Sequence, residues 1–300
     1  MNKMTMQELV NEYYKSSDYS MLAVKTKVDY TNCLESVLKT KVGRHFICTT
    51  KVNKLSGAMA RQSYEVWLNR GIYMANHMVA TSRKVYSFAM EMGYAEYNPF
   101  STFKCKVTKP RKVVWTREQI TQMLDYCYSE FKYRSLGLII QMAYEWCQRV
   151  GDMRLLKFEN IDYDKGILNL EQSKRGASVT LPISEDLLEM LREQKHDYDF
   201  QEYVAPYPST LRGSYKPYSL HRLSIVARRV IKLCGLPNEL RIADLRRTGT
   251  TEMVEAGVSM GQIMSVTGHA NPQSVKPYMK NTYESAKRAL TTRKNYDTNN

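Results

Sequence analysis

Through the first hundred residues, apolar side chains recur at intervals of three and four. "MTMQELVNEYYKS" and "LAVKTKVDYTNCLESVLKT" each place them on one stripe of a helix. "SYEVWLNRG", closing at Gly71, and "MANHMVATSRKVYSFAMEMG", closing at Gly93 as a C′ glycine, continue the same spacing. No strand alternation occurs here, and "NPF" at 98–100 stops the run, so the spacing predicts a small helical bundle over 1–103. After a short segment, 104–115, helical spacing resumes. Thr116 and Gln119 form a T-x-x-Q capping box, and Trp115 can staple onto Ile120. One helix is expected to about Ser129 and a second from about Ser135 to Cys147, with Leu136, Ile139, Ile140, Ala143 and Cys147 on one stripe. The period then drops to two. "GILNLEQ" (166–172) and "SVTLPI" (178–183) read as paired strands joined by "SKRGA", with Gly176 at the turn. Helices resume near Glu185. The fold class is therefore mainly α with a small antiparallel sheet: a helical domain, then an α+β domain over 116–290. Residues 291–300 read as a polar, mobile tail.

Composition changes this picture in one respect. At 43% hydrophobic and 25% charged residues the chain is an ordinary globular mix, but its net charge is +14, which suits a polyanionic partner. The segment 104–115, "KCKVTKPRKVVW", holds five Lys/Arg and no acid, as much excess charge as the 103 residues before it. Lys104, Lys106, Lys109, Arg111 and Lys112 are thus candidates for phosphate-backbone contacts, where each neutralised phosphate releases counterions. A basic tether between domains is the plainer alternative. The six cysteines form no C-x-x-C pair, which argues against a zinc site and a disulfide framework and fits a reducing cytoplasm. No apolar run is long enough for a membrane span, and the start lacks the apolar core of a signal peptide.

Four places can carry chemistry. In "CQRVGDM", Arg149 stands where an apolar helix ends, three residues before Asp152, which reads as the cap of a short helix. Lys174 stands at the tip of the strand pair. In "RIADLRRTGTTEMVEAG", Asp244 reads as an N-cap and Gly257 as the stop. Arg246 and Arg247 then occupy the first helical turn, where the macrodipole disfavours cations unless an anion is meant to bind. The fourth is "TGHANPQSVKPYM". Ser259 and Gln262 cap a helix that Gly268 ends, and His269 follows. Asn271 caps a second helix with Pro272 at its first position. Pro277 would break that helix, because it lacks an N–H and clashes with the preceding turn. Tyr278 is thereby detached from a regular helix and can face a site of its own.

In chain order these residues are Arg, Lys, Arg, His and Tyr. A tyrosine hydroxyl can attack a DNA phosphodiester, and two guanidiniums can grip the nonbridging oxygens as charge develops. A lysine can protonate the leaving 5′-hydroxyl, and a histidine can bind the phosphate or take the tyrosine proton. The last two thirds of the chain resembles the catalytic domain of the tyrosine recombinase (phage integrase) family. "QRVGDM" resembles its first arginine box (Arg149, with Asp152 in support), "SKRGASVTLPI" its hairpin lysine (Lys174), "ADLRRT" its second arginine box (Arg246), and "TGHANPQSVKPYM" its last box (His269 and the nucleophile Tyr278). The first hundred residues resemble the family's helical core-binding domain. The resemblance implies a site-specific DNA recombinase that works through a 3′-phosphotyrosyl intermediate, without metal or nucleotide cofactor. It implies duplex recombination sites as substrate, a C-shaped clamp, a tetramer on two sites, and room for an accessory directionality factor. One position departs: the family usually has histidine or lysine three residues before the second arginine, and here that residue is Ala243. Arg247 or Arg241 is the candidate replacement donor. A type IB topoisomerase-like enzyme and a catalytically impaired DNA-binding protein are the alternative readings.

Overall fold

A computed structural model describes residues 3–174, 176–208, 215–279 and 283–298. The chain divides into two units, Met1–Arg111 and Lys112–Asn300.

The first unit is helical. Helix α1 (Met6–Lys15) starts on a Thr5/Glu8 capping box, followed by α2 (Ser17–Ser20) and α3 (Val24–Leu38). Two-residue strands β1 (Lys41–Val42) and β2 (His45–Phe46) then form a hairpin that the sequence reading did not foresee, since two residues cannot display a period. Helices α4 (Gly57–Leu68) and α5 (Ile72–Glu91) complete the bundle. Gly71, with φ 96°, is the N-cap of α5 rather than the end of α4. The stripes read from the sequence meet in a core of Leu9, Tyr13, Leu34, Trp67, Val79 and Phe100, all at most 1% exposed. Each large side chain so buried contributes roughly 1.5–3 kcal/mol. The Trp67 indole N–H donates to Thr40 Oγ1 at 2.8 Å, so its polar atom is satisfied inside the core.

The basic segment is extended and forms no body of its own. The Lys106 amide donates to the Tyr64 hydroxyl, and the Asn76 amide donates to the Lys106 carbonyl, both at 2.8 Å within the first unit. At its other end Trp115 is anchored in the second unit. Its backbone N–H donates to Thr248 Oγ1 and its indole N–H to the Arg241 carbonyl, each at 3.0 Å. Lys104, Lys106, Lys109, Arg111 and Lys112 are all exposed.

In the second unit the Thr116/Gln119 capping box starts α6 (Arg117–Ser129), and Trp115 and Ile120 share one core, as a hydrophobic staple requires. Helix α7 (Phe131–Glu145) is buried from Ser135 to Ala143. It begins four residues before the expected Ser135. The short helix α8 (Val150–Met153) leads into a three-stranded antiparallel sheet of β3 (Ile161–Asp162), β4 (Ile167–Glu171) and β5 (Ser178–Pro182). Leu168 pairs with Leu181 and Leu170 with Val179; all four face the core, and the residues between them face solvent. Helix α9 (Glu185–Tyr198), the small pair β6 (Pro206–Tyr207) and β7 (Lys216–Pro217), and α10 (Leu220–Leu233) follow. Helices α11 (Leu245–Glu255), α12 (Met260–Thr267) and α13 (Tyr283–Thr298) close the unit. Residues 291–298, expected as a mobile polar tail, continue α13: a polar composition does not prevent a helix.

Candidate active site

Helix α7 ends at Glu145, and Cys147 then takes a left-handed conformation (φ 51°), a place glycine usually fills. This reversal sends Gln148 into the interior, 0% exposed, and sets Arg149 at the start of α8. Asp152 was expected to cap that helix. It lies inside it instead, and Arg149 is the N-cap residue. The Asp152 carboxylate accepts from the Ser173 hydroxyl and amide through Oδ1, while Oδ2 lies 3.7 Å from Arg149 Nη1.

Arg246 projects from the first turn of α11, a helix buried on nearly all sides; Leu245, Arg246, Thr248, Gly249, Thr250 and Thr251 are inside. The helix lies so close to the end of α7 that a Cβ on Gly249 would stand 2.6 Å from Cys147 Sγ and 2.8 Å from the Tyr144 carbonyl. Asp244 was expected to be its N-cap. Its backbone is helical, part of a 3-10 turn at Ile242–Asp244, and its side chain makes no capping bond. Arg246 Nη2 donates to the Thr267 carbonyl at 2.8 Å and meets His269 Nε2 at 3.0 Å. Among the described residues no carboxylate forms an ion pair with it. Burial, and next the nearby Arg149 charge, bring its pKa down from the ordinary guanidinium range to about 10.

His269 follows Gly268, whose left-handed backbone (φ 68°) ends α12. Its tautomer follows from its partners. The Thr267 hydroxyl has one hydrogen, which goes to the Ile263 carbonyl at 2.7 Å. Its oxygen must therefore accept from His269 Nδ1–H, also at 2.7 Å. In the neutral ring Nε2 then carries the lone pair and accepts from Arg246.

The segment after His269 takes the form expected of its prolines, in tighter turns. Asn271 caps a 3-10 turn, Pro272–Ser274, and a second turn, Lys276–Tyr278, starts afresh with Pro277 inside it. Val275 between them is fully buried and anchors both. Tyr278 ends the second turn, half-buried. Its ring centroid lies 6.1 Å from that of His269, and the Arg247 guanidinium lies over its face at 5.2 Å. Lys174 is exposed at the tip of the β4–β5 hairpin, and its ammonium makes no hydrogen bond or ion pair among the described residues. Neighbouring Arg175 lies outside the described residues.

Arg149, Arg246, His269, Tyr278, Arg247 and Asp152 thus gather on the second unit; Lys174 follows Gln172 and Ser173, which bond to Arg149 and Asp152, but shows no contact of its own with them among the described residues. The sequence reading missed Gln148 and Gln172. Gln172, 1% exposed, accepts from Arg149 Nη1 at 2.9 Å and donates to Gln148 Oε1 at 2.7 Å and the Thr267 carbonyl at 2.8 Å. Its inward position was readable: after Leu168 and Leu170, residue 172 is the next on the buried face. No such signal marked Gln148. Among the described residues no group of three or more His, Cys, Asp or Glu gathers to hold a metal ion.

A buried Arg246, a half-buried Arg149 and His269 thus share one unit of a mainly helical protein with a tyrosine held on its own short turn. The chain belongs to the phage integrase family, whose profile matches residues 114–285. It is 24% identical over 188 residues to the tyrosine recombinase XerA of Pyrococcus furiosus, covering 62% of this chain and 63% of that protein. The alignment therefore spans less than two thirds of that relative's length. Among solved structures, the Tn1549 transposon integrase in complex with circular intermediate DNA matches at a TM-score of 0.77 and 14% identity, over 96% of this chain and 99% of that one. A lambda integrase tetramer bound to a Holliday junction matches at 0.74 and 20% identity, over 93% of this chain and 78% of that one. At these identities the two structures share the fold. No helix among the described residues is long and apolar enough to cross a membrane.

Proposed function

We propose that this chain is a site-specific DNA recombinase whose nucleophile is Tyr278. The observation that carries the reading is Arg246: a buried guanidinium with no carboxylate ion pair among the described residues, in contact with His269, whose ring lies 6.1 Å from that of Tyr278. Such a cation is costly unless an anion completes it. A scissile phosphate between Arg149 and Arg246 supplies that anion, and its nonbridging oxygens gain charge as the reaction proceeds. The Tyr278 oxygen then bonds to phosphorus while the bond from phosphorus to the 5′-oxygen breaks. Once phosphate oxygens draw the Arg246 N–H groups, His269 Nε2 is the unprotonated atom that takes the tyrosine proton. Lys174, on its hairpin, donates a proton to the leaving 5′-hydroxyl, and Asp152 steadies Arg149. The phosphotyrosyl bond keeps the energy of the broken linkage, so rejoining needs no nucleotide or metal.

The substrate in this reading is duplex DNA carrying recombination sites, and the exposed Lys104, Lys106, Lys109, Arg111 and Lys112 lie along its phosphates. A tetramer on two sites is the working assembly, in keeping with the lambda integrase tetramer bound to a Holliday junction; an accessory directionality factor would act on that assembly. The place of action is the cytoplasm, wherever the DNA lies. The test uses nicked suicide duplexes of randomised sequence, which lose the 5′-hydroxyl fragment after cleavage and trap the adduct. The protein should form an SDS-stable DNA adduct on a Tyr278 peptide. Tyr278→Phe should bind the selected duplex with unchanged Kd and form no adduct. An adduct in Tyr278→Phe would move the nucleophile elsewhere. Exchange of label between two selected duplexes would separate a recombinase from an enzyme that only nicks and seals.

A further inference from the structure

Apart from Asp152, 3.7 Å from Arg149 Nη1, the groups that hold the two arginines of this site are neutral, and the arrangement is closed. Gln172 Oε1 takes a hydrogen from Arg149, and its Nε2 gives both of its hydrogens, to Gln148 Oε1 and the Thr267 carbonyl. Gln148 Nε2 likewise gives both, to the carbonyls of Trp146 at 2.9 Å and Val266 at 2.7 Å. Its Oε1 also faces Arg246 Nη1 at 3.5 Å. The Thr267 carbonyl that receives Gln172 receives Arg246 too, and the Thr267 hydroxyl orients His269. Neither amide can flip without setting donor against donor and oxygen against oxygen. The backbone is shaped to admit the arrangement: a Cβ on Gly268 would stand 2.5 Å from Gln172 Nε2.

From this we infer that Gln172 and Gln148 are positioning residues, which link Arg149, Arg246 and His269 into one rigid anion receptor while adding no negative charge to it: among the described residues Arg246 has no carboxylate ion pair, and Arg149 has Asp152 alone, at 3.7 Å. The inference rests on the recombinase reading above. Its physical content is the choice of amide over carboxylate. A glutamate at 172 would fit the same space and could accept from Arg149. It would then give Arg149 a second and closer carboxylate beside Asp152, and spend on internal ion pairs the charge meant for the phosphate. It would also turn an oxygen toward Gln148 Oε1 and the Thr267 carbonyl, where two donors stood. The ionisable groups around that carboxyl would be Arg149 in direct contact, Arg246 and His269 beyond Gln148 and Thr267, and Asp152 through Ser173. Protonating the carboxyl restores a neutral side chain with one donor.

The test measures single-turnover adduct formation on the selected suicide duplex, and duplex Kd, from pH 5 to 9 for wild type, Gln172→Glu and Gln172→Met. Gln172→Glu should show a step that neither of the others has: near wild-type rate at the acid end, falling roughly 100-fold once the carboxyl ionises. The duplex Kd should change by less than about threefold, because most of the affinity comes from other phosphate contacts. Gln172→Met, equal in volume and without hydrogen bonds, should lose roughly tenfold at every pH. Sulfate supplies an arm independent of DNA, since it stays dianionic across this range. Sulfate protection against thermal unfolding should vanish in Gln172→Glu above the same step. Gln172→Glu within twofold of wild type at every pH would overturn the inference. A uniform loss, without a step and matched by weaker duplex binding, would also overturn it by showing a merely structural role. Should wild type itself form no adduct, it is the recombinase reading that fails, and the sulfate arm still decides whether Gln172 shapes the receptor.

Discussion

Sulfate should stabilise this protein through Arg246, and the size of the effect follows from how that residue is buried. A guanidinium whose pKa falls from its ordinary range to about 10 costs the folded state about 3 kcal/mol, at about 1.4 kcal/mol per tenfold. Below pH 10 the group is charged in folded and unfolded chains alike, so the whole penalty is present. Between about pH 10 and 12.5 the folded chain binds fewer protons than the unfolded chain, and stability rises with pH as the penalty fades. At neutral pH only an anion relieves it. Sulfate resembles a phosphodiester in its nonbridging oxygens and can receive both Arg149 and Arg246. At 100 times its Kd it adds about 2.7 kcal/mol. In a unit the size of Lys112–Asn300 that raises Tm by roughly 5–10 °C. Sulfate also stabilises proteins generally, by exclusion from their surfaces. The assay therefore compares thermal unfolding in sulfate and in chloride at equal ionic strength, for wild type, Arg149→Met and Arg246→Met. The general effect is common to all three, and the specific effect needs both guanidiniums. Equal sulfate shifts in the three proteins would refute the idea that these arginines form a receptor awaiting an anion.

Two further outcomes are expected. Cys147→Gly should be about 1 kcal/mol more stable than Cys147→Ala in urea unfolding, because both lose the sulfur but only glycine sheds the left-handed strain; a regular helix gives the reverse order. Ala243→His should leave single-turnover cleavage within about threefold of wild type, while Arg247→Ala should lose roughly 100-fold, as does an enzyme deprived of one preorganised donor; a large gain from histidine with a silent Arg247→Ala would show an impaired site instead.

Much of this architecture could be read in advance where a residue's role is local. The capping boxes at Thr116 and Ser259, the hairpin with its glycine, and the break at Pro277 depend on neighbours within a few positions, and the structure has each of them. Asp244 shows where local reading fails. It has the right chemistry for a cap, but the 3-10 turn before α11 gives it helical dihedrals, and a capping side chain needs extended ones. Gln148 was illegible for another reason. Its partners lie on Trp146, Val266, Gln172 and Arg246, so nothing near it in the sequence signals its burial. Gln172 lies between these cases, since its strand parity pointed inward and only its partners were hidden.

The adjacent arginines of α11 answer in two ways the conflict they pose as cations in a first turn. Arg246 is taken inside, where the Thr267 carbonyl, His269 and Gln148 receive it and burial leaves its charge costly. Arg247 points about 100° away around the helix and lies across the Tyr278 ring. Arg241, the other candidate to replace the donor absent at Ala243, donates through Nη1 to the carbonyls of Asn238 and Leu240. That geometry commits its Nη1 to the backbone. Ala243 itself is exposed and borders an apolar hollow of about 220 Å³ lined in part by Val150, Leu223, Ala227 and Ile231. An imidazole there would have space but an apolar wall to lie against. A guanidinium resting on the Tyr278 ring, by contrast, would need only a short swing to meet a phosphate that Tyr278 attacks, as proposed above. Losing a contact with the ring worth about 0.5–2 kcal/mol for a charge-assisted bond of about 1.5–3 kcal/mol favours that swing when the phosphate arrives. On this energetic ground we propose Arg247 as the residue that fills the role left open at position 243.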